Sequence, residues 1–254
     1  MTSLSHKSAH SSSTIPRAES AVGVDSCPHG WFATVLTGGN IETKLYEDFS
    51  EVHTDNQEAR VFVDIPVGLP TGSRRRCDIE ARDLLGCRGD SVFFPPCESA
   101  AAIEDYDEAN TRHREEMDNG LSQQAHAISD KINEVQTVMD GTYDSPIYES
   151  HPELCFYALN GQPVAYSKSS KRGLVFRQHL LEEKHSGMND KYEQILDDTL
   201  RKNIRRDDIL DSMALALAAQ SEKLQSVPEN PAPETPRIHY PATPALAESP
   251  WSEL

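Results

Sequence analysis

The sequence predicts an α/β domain, a mixed sheet with helices on both faces and a helical insertion after the fourth strand. Three observations carry this prediction. Three strand-like runs open the folded part as a meander. A fully apolar run, Val61–Ile65, follows, as expected of a strand covered on both faces. Roughly 75 residues of mostly helical character then separate it from the next apolar run at 146–149.

The first strand is read at 21–25 (Ala-Val-Gly-Val-Asp), the second at 31–36 and the third at 41–49. Gly38-Gly39 between the last two suits the positive φ angles of a hairpin turn. A short helix fits 50–60, before strand 61–65. The insertion begins with a helix over 78–86, closed by Gly86. Helices are predicted over 98–117 and over 122–139, the latter started by Ser122 and carrying Ala125, Ile128, Ile132 and Val135 at helical spacing. After strand 146–149, surface helices are read at 174–185 and 191–203. An amphipathic helix over 208–224 closes the domain.

Residues 1–20 are rich in Ser and His without periodicity, and residues 225–254 carry seven prolines. Both are expected to be disordered tails around one domain at 21–224. The formal charge is −17, with 41 acidic against 24 basic residues and Arg outnumbering Lys 15 to 9. Such a balance repels phosphate in dilute buffer. It also suits a high-salt cytoplasm, where at ~1 M salt the Debye length falls to about 3 Å and surface charge no longer governs association. The salt-adapted reading is preferred, so charge does not exclude a nucleic-acid substrate. Five cysteines without metal-ligand spacing predict reduced thiols. No run approaches the ~20 apolar residues of a membrane span, and no secretion signal is evident, so a cytoplasmic location is expected.

Acids stand where the strongest local patterns end. Asp25 closes the first strand, Asp64 the fourth and Glu149 the fifth, while Asp208 and Asp211 share a face of the last helix. If strands 21–25, 61–65 and 146–149 run parallel side by side, their carboxyl ends form the edge where open α/β sheets bind ligands. Clustered carboxylates repel one another, and a hard divalent cation, Mg²⁺ or Mn²⁺, relieves that repulsion. Such ions also activate water against phosphodiesters. Each acid has a plainer role open to it, as a turn former for Asp25 and Asp64, a surface polar turn for Glu149, or a helix-start residue for Asp208.

The motifs Val-Gly-Val-Asp-x-Cys-x-x-Gly-Trp at 22–31, Val-Asp-Ile-Pro-Val-Gly-Leu-Pro at 63–70 and Arg-x-Cys-Asp at 75–78 form a series. It continues with Ser-Val-Phe-Phe-Pro-Pro at 91–96, Glu-Ser-His-Pro-Glu-Leu-x-Phe at 149–156 and Asp-Asp-x-x-Asp-Ser at 207–212. Together they resemble domain-of-unknown-function family 429, whose members are described as predicted RNase-H-like nucleases. The resemblance spans about 21–220. It implies an RNase-H-like fold and a metal-dependent nuclease, with Asp25 in the first-strand acid position. Asp64, Glu149 and Asp208 or Asp211 would be the further ligands. Family members often show Asp-Ala after the last acid, where this chain has Asp211-Ser212.

Arg74, Arg75 and Arg76 form the densest basic run of the acidic domain and suit phosphate, or pair with Asp78 and Glu80. His151 is a candidate partner of Glu149 or a proton-transfer group, and Lys168 and Lys171 are candidate phosphate contacts. Two other classes stay open. A nucleotide-binding phosphotransfer protein would lack any Walker-type loop here, and a non-catalytic module would keep the acids without turnover.

Overall fold

A computed structural model describes residues 19–139, 146–198 and 203–242. Strands β1 (Ser20–Cys27), β2 (Gly30–Thr37), β3 (Asn40–Tyr46), β4 (Arg60–Val63) and β5 (Ile147–Glu149) form one mixed sheet in the order β3-β2-β1-β4-β5. The meander is antiparallel, and β4 and β5 add parallel to β1 as expected. Gly38 and Gly39 take φ of 55° and 91°, the turn predicted between β2 and β3. Helices lie on both faces, an architecture consistent with an RNase-H-like fold.

Alternation along β1 sorts the two faces. Val22 and Val24 join Trp31, Val61, Val63 and Ile147 in one core, covered by α1 (Phe49–Asp55) and α6 (Ser129–Met139). Ala21 points the other way, into a core shared with Phe32 and Phe62. That second core is covered by α7 (Pro152–Asn160), α8 (Lys171–Lys184), α9 (Met188–Asp198) and α10 (Arg206–Gln220).

α10 was expected to be amphipathic, yet eleven of its fifteen residues are buried. It lies between the sheet and the other helices, and its alanines let backbones approach. A Cβ on Gly23 would stand 2.1 Å from the Ser212 carbonyl oxygen and 2.2 Å from the Ala216 nitrogen, so only glycine admits this contact with β1. Beside it, the Ser212 and Thr34 hydroxyls meet at 2.8 Å. Arg60, at the start of β4, donates to the carbonyls of Ala219 and Ser221, both at 2.9 Å, and so caps the other end of the helix.

The insertion comprises α2 (Arg76–Leu85), a 3-10 turn at Gly86–Ser91, α3 (Glu98–Ala101), α4 (Tyr106–Met117), α5 (Gln123–Ala127) and α6. Two long predicted helices are therefore each broken in two. Asp105 caps α4 by accepting from Glu108 N at 2.9 Å, which ends the 98–117 reading as one helix. Ser122 caps α5 as predicted, through Ala125 N at 3.1 Å. α7 had no counterpart in the sequence reading, although Pro152 occupies its first turn and His151 its cap.

The boundary at 224 also moves. β6 (Leu224–Val227) and β7 (Ile238–Pro241) form an antiparallel ribbon, with Ile238 and Tyr240 buried against Cys77 and Leu154. Pro228, Pro231, Pro233 and Pro236 fall in the loop between the strands, where no ladder hydrogen bond is required of them. The expected tails at 1–18 and 243–254 lie outside the described residues. Among the described residues no helix is long and apolar enough to cross a membrane.

Candidate acidic active site

Strand register decides which acids meet. Asp25 pairs with Phe32 across β1 and β2 and so shares the α10 face of the sheet. Asp64 follows Val63, and its N–H donates to Val24 O at 3.0 Å, extending the parallel ladder to the residue before Asp25. By alternation from Phe62 it points to the same face. Asp211 comes to them from α10, 1% exposed.

Burial acts on all three carboxyls, and neighbouring charges add to it. Burial raises the Asp25 carboxyl well above the carboxylate range; Asp64 and Asp211 raise it further, Lys168 opposes them, and Asp208 adds the least. Asp64 is raised by burial, eased by His151 and Lys168, and raised again by Glu153. Burial pushes Asp211 up to about 6 against the pull of Lys168, with Asp64 and Glu153 adding to the rise.

Lys168 is the cation facing this cluster. Its ammonium donates to Asp211 Oδ2 at 2.6 Å and lies 3.9 Å from Asp207. Burial alone would lower its pKa, but Asp211, Asp25 and Asp64 hold it up. One ammonium thus faces three carboxylates. Asp208 sits at the rim and is partly committed, since its Oδ2 accepts from Arg205 N at 2.9 Å at the start of α10.

Glu149 does not join the cluster. It pairs in register with Val63, whose side chain lies in the opposite core, so its carboxylate projects through the other face of the sheet. There Arg75, buried rather than exposed, donates to both its oxygens at 2.6 and 2.9 Å, and Val67 N donates at 2.7 Å. Arg75 also bonds Asp78 at 2.5 and 3.0 Å. Burial pushes Glu149 up while Arg75 pulls it down. The three donors converging on this carboxylate fit an ionised pair.

The donor atoms of Cys77, Asp78 and Glu149 lie within 4.8 Å of one another. The Arg75 guanidinium already neutralises both carboxylates, and burial keeps the Cys77 thiol protonated by raising its pKa. This group is therefore a structural ion pair and not a cation site.

The remaining predicted contacts scatter. Arg74 stacks on Phe94 with 3.9 Å to the ring centroid, and Arg76 pairs with Glu80 at 2.5 Å on the surface. His151 accepts from Glu153 N through Nδ1 at 3.2 Å, which leaves the proton on Nε2, 3.3 Å from Ser91 O. Glu153 is the acid that sequence reasoning missed. It is buried, and its Oε1 takes Arg177 at 2.5 Å and Arg88 at 3.1 Å while Oε2 has no partner. Its signal was present, since it stands four residues after Glu149 in the first turn of α7, behind Pro152.

By ligand type the set suits a hard divalent ion, since Asp25, Asp64 and Asp211 offer carboxylate oxygens without thiol or imidazole. Burial is the first cause of their raised pKa values. Among the described residues only Cys77, Asp78 and Glu149 bring three donor atoms within 4.8 Å of one another, so the three aspartates would have to draw closer to share one ion.

Residues 23–233 match the family described as a protein of unknown function (DUF429), past the predicted boundary at 224 and into the loop between β6 and β7. No curated protein and no solved structure matches the chain.

Proposed function

The chain belongs to the DUF429 family, and we propose that it is a metal-dependent nuclease that hydrolyses phosphodiester bonds of RNA or DNA. The observation that carries this reading is the placing of Asp25, Asp64 and Asp211 on the α10 side of the sheet, near enough for Asp64 and Asp211 to raise Asp25, with Lys168 bonded to Asp211. These three residues would hold Mg²⁺ or Mn²⁺, with Asp208 at the rim. A bound divalent ion supplies Lewis acidity and a water of lowered pKa.

Asp25 takes the central position, because both other acids act on it. Lys168, on the loop between α7 and α8, is the residue suited to receive a phosphate oxygen once its hold on Asp211 is released. His151 is a positioning residue, because both ring nitrogens are committed to the backbone. Arg75 and Glu149 brace the loop 64–75 from the far face and take no part in the chemistry. The acidic, lysine-poor composition and five free cysteines favour a reducing, high-salt cytoplasm as the setting.

The test is hydrolysis of labelled RNA and DNA oligonucleotides with Mn²⁺ or Mg²⁺, in KCl up to multimolar concentration. Cleavage by the wild type, lost in Asp25→Asn, supports the reading. Failure to cleave any nucleic acid by the folded, metal-supplied protein overturns it. The Lys168–Asp211 contact favours a second reading, a non-catalytic module whose own lysine replaces the ion. Absence of Mn²⁺ binding by the folded wild type would point there.

A further inference from the structure

Between Glu153 and Glu182 the chain runs 28 residues without an acid, its longest such stretch, although 41 of its 254 residues are acidic. This stretch holds the loop bearing Lys168 and the start of α8. Tyr166 is 44% exposed and Val175 55%, two of the three large apolar side chains left open among the described residues. Tyr166 meets Phe176 edge-on, with ring centroids 6.1 Å apart. With Lys171, Arg172, Val175 and His179 they line an open groove of about 620 Å³.

Lys171 and Arg172 are exposed and form no ion pair among the described residues, whereas His179 faces Glu183 at 3.4 Å. Lys168, two residues from Tyr166, reaches Asp211. The groove therefore adjoins the acidic site along the chain.

From this we infer that the outer face of α8, with Tyr166, is the binding surface for an unpaired nucleic-acid strand entering the acidic site. Aromatic faces with neighbouring cations suit single strands, whose bases are free to stack, and serve a duplex poorly because its base faces are covered. The charge argument is local: Lys171 and Arg172, without an ion pair among the described residues, are exposed on a chain of net negative charge. The inference rests on the nuclease reading for its substrate class, and binding is measurable apart from cleavage.

The experiment is fluorescence anisotropy of dye-labelled single-stranded DNA, single-stranded RNA and duplex DNA on the full chain, in EDTA and across a KCl series. Tyr166→Ala should weaken single-strand binding by about fivefold or more. Lys171→Ala with Arg172→Ala should reduce the steepness of the salt dependence by about 1.4 in log–log slope. The DNA and RNA arms identify which strand is preferred. Thermal melts confirm that each variant folds, as expected for exposed positions.

Binding unchanged within twofold in Tyr166→Ala, or a preference for duplex, overturns the inference. A shift in oligomeric state in Val175→Asp also overturns it, by showing that the face pairs with a second copy. Strand binding through Tyr166 without any cleavage would sink the nuclease reading and leave the surface standing. Cleavage indifferent to Tyr166→Ala would do the reverse.

Discussion

The Lys168 ammonium and the Asp211 carboxylate meet at 2.6 Å, joining the α7–α8 loop to the helix that carries the last acid of the cluster. Lys168 Nζ is the one basic side chain bonded to the trio among the described residues. Lys168→Met should therefore lower the metal-free melting temperature at pH 7.5 by a few degrees. The lysine is over a third exposed, so about 1 kcal/mol remains after solvent screening, worth roughly 2–4 °C in a domain of this size. Mn²⁺ should stabilise the variant more than the wild type, because the ion then meets no competing ammonium. Melting curves with and without Mn²⁺ check both statements.

Asp211 sets a pH dependence of unusual sign. Its carboxyl, pushed up to about 6, holds a proton in the folded state more tightly than in the unfolded chain, where the ordinary value is 3.8. The folded state thus binds more protons, and stability falls as pH rises from about 4 through about 6. Asp211→Asn removes this dependence. The variant should match the wild type near pH 4 and exceed it by about 2–3 kcal/mol at pH 7.5 without metal. Mn²⁺ should close the gap by stabilising only the wild type. Urea unfolding at the two pH values decides it.

Arg75 holds two buried carboxylates, Glu149 and Asp78, on the far face of the sheet. Arg75→Met leaves both unpaired and should cost about 3–5 kcal/mol. Arg75→Lys should recover only part of this, since an ammonium cannot reproduce the forked contacts. Glu149→Gln should leave Mn²⁺ affinity unchanged, which isothermal titration calorimetry measures.

Gly23→Ala should be as damaging as a lost core side chain. The added methyl carbon meets backbone atoms of α10 at 2.1 and 2.2 Å, and backbone does not yield as a flexible side chain would. A loss of about 3 kcal/mol or more is expected in chemical denaturation. Any folded fraction should bind Mn²⁺ weakly, because the displaced helix carries Asp211.

The sheet was largely legible in the sequence. Apolar runs end where strands end, and Gly38-Gly39 marks its turn, because those signals are local. The placing of Asp25 and Asp64 at the ends of neighbouring parallel strands was legible as well, since a right-handed parallel crossover puts strand ends on one edge, whereas the choice between Asp208 and Asp211 was left open. Glu149 was misplaced because being at the right edge does not fix the face. One step of register separates the α10 side from the side of Val63, and that step is set by pairing with a distant strand. Arg75 was read as a phosphate contact or a partner of Asp78; the pairing with Asp78 holds, but its bond to Glu149 was not legible because that partner lies 74 residues away. The ribbon at 224–241 was hidden by prolines that fall in its loop. The burial of α10 was hidden because a helix wrapped on all sides has no polar stripe to announce its contacts.

Crystals soaked in Mn²⁺ and measured for anomalous scattering test the central claim most directly. The account predicts density among the Asp25, Asp64 and Asp211 carboxylates on the α10 face, lost in Asp25→Asn. Manganese bound instead beside Cys77, Asp78 and Glu149, or at neither place in a saturating soak, would contradict it.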